Sequence, residues 1–244
     1  MKLLALDFDG VISDSAPEAF RVALWTYRAL RPASGLSEAA YGPFLEMMPL
    51  GNRAEDYAVE LAAIEAGREI PDQAAYDAFK AALDGAWLRA FHKRFYKVRA
   101  AFAQTDPAGW RALLPPYTRF LQILRARAGQ VELAIATSKD RASVRRLLEA
   151  YGIADLFGEG RVLDKETGVT KEAHLAHLQR ALGVPYPEMT FLEDKVNHLE
   201  RAAPLGVRCA LAAWGYNGPR EHRLARARGF LVCTLEDVEA KLFA

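Results

Sequence analysis

Five short apolar runs alternate along the chain with segments whose apolar residues recur at helical spacing. The runs cover residues 3–6, 131–136, 190–192, 207–211 and 230–233. Uninterrupted runs of this length are typical of strands buried on both faces. Residues 140–151 and 171–182 show amphipathic helical patterns, and Gly183 stands where the second helix would end. The alternation predicts an α/β fold with a parallel sheet, and such sheets bind ligands at the carboxyl ends of their strands.

A long stretch between about residues 17 and 114 breaks this alternation. It is rich in Ala, Glu, Arg and aromatic residues and contains no run that predicts a strand. Residues 72–102 predict one long helix or two. Their apolar stripe comprises Trp87, Phe91, Phe95, Val98 and Phe102. We therefore predict an α/β core of residues 1–15 and 114–244, with an all-α domain of residues 16–113 inserted after the first strand.

Composition and charge narrow the class of protein. The chain has 244 residues, of which 51% are hydrophobic and 26% charged, with a net charge of +1. These values are typical of a globular protein and argue against a general nucleic-acid binder. No apolar run approaches the roughly 18–20 residues that cross a bilayer. Cys209 and Cys233 lie in apolar runs, which favours buried thiols in a reducing compartment. We expect a cytoplasmic protein that does not bind membranes, as a monomer or homodimer.

The most informative residues are Asp7-Phe8-Asp9-Gly10, directly after the first apolar run. Residues i and i+2 of a strand project to the same side, so the two carboxylates would repel unless a cation or a proton joins them. Mg²⁺ prefers such oxygen ligands. The pair also suits a division of labour in which one carboxylate is a nucleophile and the other transfers protons.

The longer segment from Asp7 to Ser15 resembles the first motif of the haloacid dehalogenase (HAD) superfamily. The resemblance implies a Rossmann-like core, an inserted helical cap of the C1 type and an aspartyl-phosphate intermediate. Asp7 would be the nucleophile. Asp9 would be the general acid and then the base, and its backbone carbonyl would bind Mg²⁺. Because family members that are dehalogenases lack the second aspartate, Asp9 indicates phosphoryl transfer.

Two further motifs of the family follow later apolar runs. Thr137 matches the second motif, whose hydroxyl would donate to a phosphoryl oxygen, with Ser138 beside it and Gly10 as further substrate contacts. The alternative for this segment is a helix N-cap. Lys171, at the start of a helix, matches the third motif, in which an ammonium offsets the charge of the nucleophile and the phosphoryl group. Lys165 is a rival for this role.

The fourth motif would be Glu193-Asp194, after the run at 190–192. The resemblance implies that Asp194 binds Mg²⁺ and that Glu193 does so directly or through water. The pair is similar to that of β-phosphoglucomutase-like proteins, and residues 214–216 are similar to phosphoglycolate phosphatase relatives. We interpret Lys195 and His198 as residues of a surface helix.

The inserted domain offers less chemistry. Arg53 lies where β-phosphoglucomutase-like proteins have a substrate-contacting loop, and it would clamp a phosphate or carboxylate or else be a solvated helix start. The basic residues of 89–99 favour a solvated face. The resemblance as a whole predicts a Mg²⁺-dependent phosphatase acting on a small phosphorylated metabolite. The alternatives are a phosphosugar mutase and a non-catalytic phosphometabolite-binding protein.

Overall fold

The computed structural model describes residues 1–168 and 170–243 of the chain. The chain forms two compact units. Unit 1 comprises Met1–Asp14 and Pro115–Ala244, and unit 2 comprises Ser15–Leu114. Two predicted positions, Val169 ahead of the third-motif lysine and Ala244 at the end of the predicted core, lie outside the described residues.

Unit 1 contains a six-stranded sheet in which every neighbouring pair is parallel. Its strands are β1 (Leu3–Leu6), β2 (Glu132–Ala136), β3 (Val162–Leu163), β4 (Met189–Glu193), β5 (Arg208–Ala212) and β6 (Leu231–Cys233). The spatial order is β3-β2-β1-β4-β5-β6. The central strand β1 pairs Leu3 with Glu132 on one side and with Met189 on the other, so three strands end at the same level. The α/β fold class predicted from the sequence is confirmed.

The helices connect and cover these strands. In chain order they are α1 (Ala16–Leu30), α2 (Tyr41–Met47), α3 (Ala54–Glu65), α4 (Gln73–Ala81), α5 (Gly85–Thr105), α6 (Pro107–Ala112), α7 (Thr118–Ala126), α8 (Arg141–Ala150), α9 (Lys171–Leu182), α10 (Val196–Ala202), α11 (Pro219–Ala227) and α12 (Val238–Phe243). Helix α9 begins with Thr170 as its N-cap and ends at Gly183, whose φ of 65° suits glycine. Its buried face, which includes Leu175 and Leu178, packs into the core beside β1 and β4.

Five of the six strands correspond to the apolar runs, and β3 is the one that the pattern missed. A strand of two residues is too short to show a periodic pattern of apolar positions, and β3 pairs with the last two residues of β2. The neighbours of β3 in the chain are Arg161 and Asp164, both charged. Tertiary pairing rather than local sequence therefore defines this strand.

Unit 2 is helical throughout, with α1–α6 and no strand among its described residues. The predicted helical region 72–102 forms two helices, because Asp84 caps a new helix by accepting a hydrogen bond from the Ala86 N–H. Phe91 and Phe95 of the predicted stripe are fully buried. A buried carboxylate, Glu18, binds Arg99 through two hydrogen bonds of 2.8 and 2.7 Å.

None of the described helices is both long and apolar enough to span a membrane. Cys209 and Cys233 are buried free thiols.

Candidate active site

The centre of the candidate site is a buried lysine between two buried acids. Asp7 follows β1 and Glu193 ends β4, so the parallel register of these strands brings the two carboxylates to the same edge. Lys171, the first residue of α9, places Nζ 2.6 Å from Asp7 Oδ1 and 3.0 Å from Glu193 Oε2. It also donates a hydrogen bond of 2.8 Å to the Ala136 carbonyl at the end of β2. All three charged side chains are buried, so this is an interior ion network.

The two oxygens of Asp7 have different surroundings. Oδ1 accepts hydrogen bonds from the Phe8 N–H at 2.7 Å and from Lys171. Oδ2 has no bonded partner among the described residues. The pKa of Asp7 is raised to about 7, first by burial and then by the charge of Glu193, with Lys171 acting in the opposite direction. The carboxyl group is therefore fixed through one oxygen, and the other oxygen is left for a ligand.

Glu193 uses both of its oxygens within the protein. Oε2 contacts Lys171 and His198 Nδ1, the latter at 3.0 Å, and Oε1 accepts from the N–H groups of Asp194 and Lys195. Burial alone would raise the pKa of Glu193, but Lys171 and His198 hold it well below its ordinary value. The interpretation of His198 as a surface-helix residue is wrong: its side chain is only 12% exposed, because it turns toward Glu193.

Asp194 is held by the loop after β5. Its Oδ2 accepts a hydrogen bond of 2.8 Å from the Tyr216 N–H, and its carbonyl accepts one of 2.9 Å from Asn217 Nδ2. Burial, and then the charge of Glu193, raises the pKa of Asp194 well above its ordinary value.

Two glycines pack against Asp194. A Cβ at Gly10, whose φ is 77°, would lie 2.2 Å from Asp194 Oδ2. A Cβ at Gly215 would lie 2.4 Å from both the Asp194 Cβ and the Gly10 carbonyl oxygen. Both positions therefore require glycine. The N–H of Gly10, which we predicted to contact substrate, donates to the Ser13 carbonyl at 2.8 Å.

Asp9 lies beside a lysine that the sequence analysis did not identify. Lys139 Nζ is 2.9 Å from Asp9 Oδ1, and the Lys139 side chain is only 1% exposed whereas Asp9 is 33% exposed. The backbone N–H of Lys139 donates to Thr137 Oγ1 at 3.1 Å. The sequence does place Lys139 in the loop after β2, two residues beyond the predicted site residue Thr137, and this position could have marked it as a candidate. This loop thus supplies a second buried ammonium.

The remaining predicted residues are placed as follows. Thr137 is buried at the end of β2 and Ser138 is exposed next to it. Of the two lysines considered for the third motif, Lys171 is the one that contacts Asp7. The backbone N–H of the other, Lys165, donates to the Lys139 carbonyl. Arg53 lies in unit 2, before α3, with its side chain 69% exposed and 4.0 Å from Glu55.

The charges of the site suit a divalent cation. The site gathers four carboxylates, those of Asp7, Asp9, Glu193 and Asp194. Lys171 contacts Asp7 and Glu193, Lys139 contacts Asp9, and the charge of Lys195 acts on Asp194. Burial first, and then the negative charge of Glu193, raise the pKa values of both Asp7 and Asp194. One carboxylate oxygen each of Asp7 and Glu193 and one ring nitrogen of His198 lie within 4.8 Å of one another. The acids therefore fit a hard cation, which prefers oxygen ligands.

Comparisons with known proteins bear on the family and the fold of the chain. The family model of the haloacid dehalogenase-like hydrolases matches residues 1–206. A relative by sequence is the tyrosine-protein kinase PtkA of Mycobacterium tuberculosis, 28% identical over 225 residues, which are 88% of this chain and 63% of that protein. The chain thus spans less than two thirds of this relative.

Two solved structures are similar in fold. One is a predicted phosphoglycolate phosphatase from Haemophilus somnus, with a TM-score of 0.68, 20% identity, and coverage of 99% of this chain and 97% of that one. The other is a haloacid dehalogenase-like family protein from Streptococcus pneumoniae, with a TM-score of 0.67, 12% identity, and coverage of 99% and 98%. At these identities the likeness concerns the fold.

Proposed function

The chain belongs to the haloacid dehalogenase-like hydrolases, and from this premise we propose that it is a Mg²⁺-dependent phosphatase of a small phosphorylated metabolite, with Asp7 as the nucleophile. The observation that carries the proposal is the ion network in which Lys171 joins Asp7 to Glu193. A binding protein needs no buried carboxylate with one oxygen fixed and the other directed to a ligand. A covalent mechanism needs such a group.

The first step is attack of Asp7 Oδ2 on phosphorus. The Phe8 N–H and Lys171 both bind Oδ1, so they orient the carboxylate without using the attacking oxygen. A bond forms between Oδ2 and phosphorus while the ester P–O bond breaks, giving an aspartyl phosphate. Water then attacks this intermediate, which releases phosphate and restores Asp7. Each half is easier than direct hydrolysis.

Positive charge and hydrogen-bond donors must offset the charge of the phosphoryl oxygens. Lys171 supplies a buried ammonium. Because Thr137 Oγ1 accepts the N–H of Lys139, its own O–H is left to donate to a phosphoryl oxygen. The side chains of Asp7 and Asp194 and the carbonyl of Asp9 would hold Mg²⁺, which supplies further charge neutralisation when bound. Glu193 would act through water, because both of its oxygens bind protein groups.

Asp9 would transfer the protons. It would protonate the leaving oxygen in the first step and accept a proton from water in the second. Its partial exposure lets it reach substrate and water, and its contact with Lys139 fixes its position. Because the two steps need opposite protonation states, the rate is expected to be bell-shaped in pH.

Unit 2 would be the cap that excludes water and selects the substrate. Arg53 is its candidate anion-binding residue, since its guanidinium is exposed and its ion-pair contact with Glu55 is a long one of 4.0 Å.

The test is phosphate release from a panel of phosphorylated metabolites, with and without Mg²⁺. We expect release by the wild-type protein with Mg²⁺, and none by Asp7→Asn. A matched control, Asp155→Asn, removes an exposed surface carboxylate and should retain full activity. Full release by Asp7→Asn would refute the assigned nucleophile.

The sequence relative suggests a second candidate, transfer of the phosphoryl group to a protein tyrosine. That relative is named a tyrosine-protein kinase, and an aspartyl phosphate can pass its phosphoryl group to a hydroxyl as well as to water. A phosphosugar mutase would use the same core residues. Transfer of ³²P from labelled ATP to tyrosine would favour the kinase, and isomerisation of a sugar phosphate without net phosphate release would favour the mutase.

A further inference from the structure

A cavity of about 390 Å³ lies beside the edge strand β3 in unit 1. Arg141 and Arg145 of α8, His177 of α9 and the loop residue Glu159 contribute to its wall. These residues are separate from the set around Asp7. The volume is in the range of sites that bind small metabolites, and the mechanism above gives this cavity no role.

The two arginines offer donors that the protein does not use. Arg141 binds Asp164 through Nε and Nη2, at 2.7 and 3.1 Å, and its Nη1 has no partner among the described residues. The side chain of Arg145, one helical turn later, makes no hydrogen bond or ion pair within the described part of the chain. Residues four apart lie side by side on a helix, and like charges there repel. An anion between the two guanidinium groups would remove this repulsion and accept from both.

The edge strand adds a backbone donor. The N–H groups of Ile135 and Thr137 in and after β2 donate to the carbonyls of Arg161 and Leu163. Because the C=O and N–H of one peptide unit point in opposite directions, the N–H of Val162 points away from β2. No strand follows β3 on that side, and Val162 lines the cavity.

An acid on the wall restricts what kind of anion fits. Glu159 is exposed on a loop between two glycines and makes no ion pair among the described residues. Its carboxylate would repel a bare anion but accept a hydrogen bond from a hydroxyl group. We propose that this cavity binds a small phosphorylated polyol, with the phosphate between Arg141 and Arg145 and a hydroxyl on Glu159.

Asp164 lies between the proposed phosphate site and the loop after β2, because it accepts hydrogen bonds from Arg141. Asp164, bound by Arg141, is buried and also accepts from the N–H groups of Glu166 and Thr167. The peptide unit after it, through the Lys165 N–H, donates to the Lys139 carbonyl. Contacts through Asp164 and Lys165 therefore join the cavity to the loop that carries the ammonium beside Asp9.

The test is titration of ¹⁵N-labelled full-length protein with glycerol 3-phosphate in EDTA, so that Mg²⁺-dependent turnover does not consume the probe. We expect saturable shifts of the amide signals of residues 158–164. Arg145→Gln should weaken binding at this site roughly tenfold or more, because it removes a charge-assisted contact. Arg146→Gln, a neighbouring arginine of α8 that does not line the cavity, should bind within about twofold of wild type.

Three outcomes would overturn the proposal. One is equal binding by the two arginine variants. Another is a set of shifts confined to residues near Asp7. The third is glycerate binding as tightly as glycerol 3-phosphate, which would assign the cavity to carboxylates. A fourth comparison tests the hydroxyl contact: inorganic phosphate should bind more weakly than glycerol 3-phosphate, and equal affinity would refute the role of Glu159. Each result is independent of the phosphatase assays.

Discussion

Neutralising Asp7 should make the metal-free protein more stable. Its pKa is raised from 3.8 to about 7, first by burial and then by Glu193, so the folded protein holds this proton more tightly than the unfolded chain does. The contribution of Asp7 to stability is therefore most favourable below about pH 4. It falls as the pH rises toward 7 and is constant above that. At alkaline pH the native carboxylate opposes folding.

The size of the effect follows from the shift. About three pKa units, at 1.36 kcal/mol each, amount to about 4 kcal/mol. Asparagine is close in shape to the protonated aspartic acid. Asp7→Asn should therefore exceed the wild type in free energy of unfolding by up to about 4 kcal/mol at pH 8 in EDTA, and by progressively less as the pH falls toward 4.

Urea unfolding at both ends of this pH range, in EDTA, measures the difference. Adding Mg²⁺ should narrow it, because the cation binds the folded wild type. The contrasting variant is Asp9→Asn, two residues away, which leaves the buried ammonium of Lys139 without its carboxylate and should be destabilising at pH 8. A wild type that is as stable as Asp7→Asn at pH 8 in EDTA would refute the reasoning.

Two further substitutions test packing in the two units. Gly215→Ala should lower both stability, by about 1–3 kcal/mol, and Mg²⁺ binding, because its Cβ overlaps neighbouring atoms. The control is Gly218→Ala, whose Cβ would make only an ordinary contact of 3.8 Å with Glu221 Oε2. Thermal unfolding with and without Mg²⁺ distinguishes the two variants. Arg99→Met should cost about 3–5 kcal/mol, because it leaves the buried charge of Glu18 without its cation, although the Trp110 indole N–H still donates to it. Arg94→Met, on the exposed side of the same helix, should change the free energy of unfolding by less than about 0.5 kcal/mol, and equal effects of the two would show that the buried pair adds nothing.

The parts of the fold with strong local signals could be predicted from the sequence. β1 and α9 have the predicted bounds, because an apolar run and a capped amphipathic helix are local patterns. β3 could not be predicted, because two residues are too few to show a pattern of apolar positions and because its partner β2 is distant in the sequence.

The candidate site shows the same division. Asp7 and Glu193 could be placed together, because both follow apolar runs and parallel strands end at one edge. Lys139 and His198 could not be placed in the site from the sequence. Whether a polar residue after a strand points into the protein depends on the path of the loop and on the charged groups near it. A lysine that is only 1% exposed has no sequence pattern that separates it from a solvated lysine.

The pairing of β1 has a consequence for synthesis of the chain. This strand is translated before both of its neighbours, which are Glu132–Ala136 and Met189–Glu193. At roughly 5–20 residues per second, a ribosome needs on the order of ten seconds to reach either partner. During that time four consecutive apolar residues, Leu3–Leu6, have no strand to pair with. The intervening helices of unit 2 can form earlier, from contacts closer in sequence. The nascent β1 segment is thus a natural target for chaperones, and its protection depends on strands that are synthesised later.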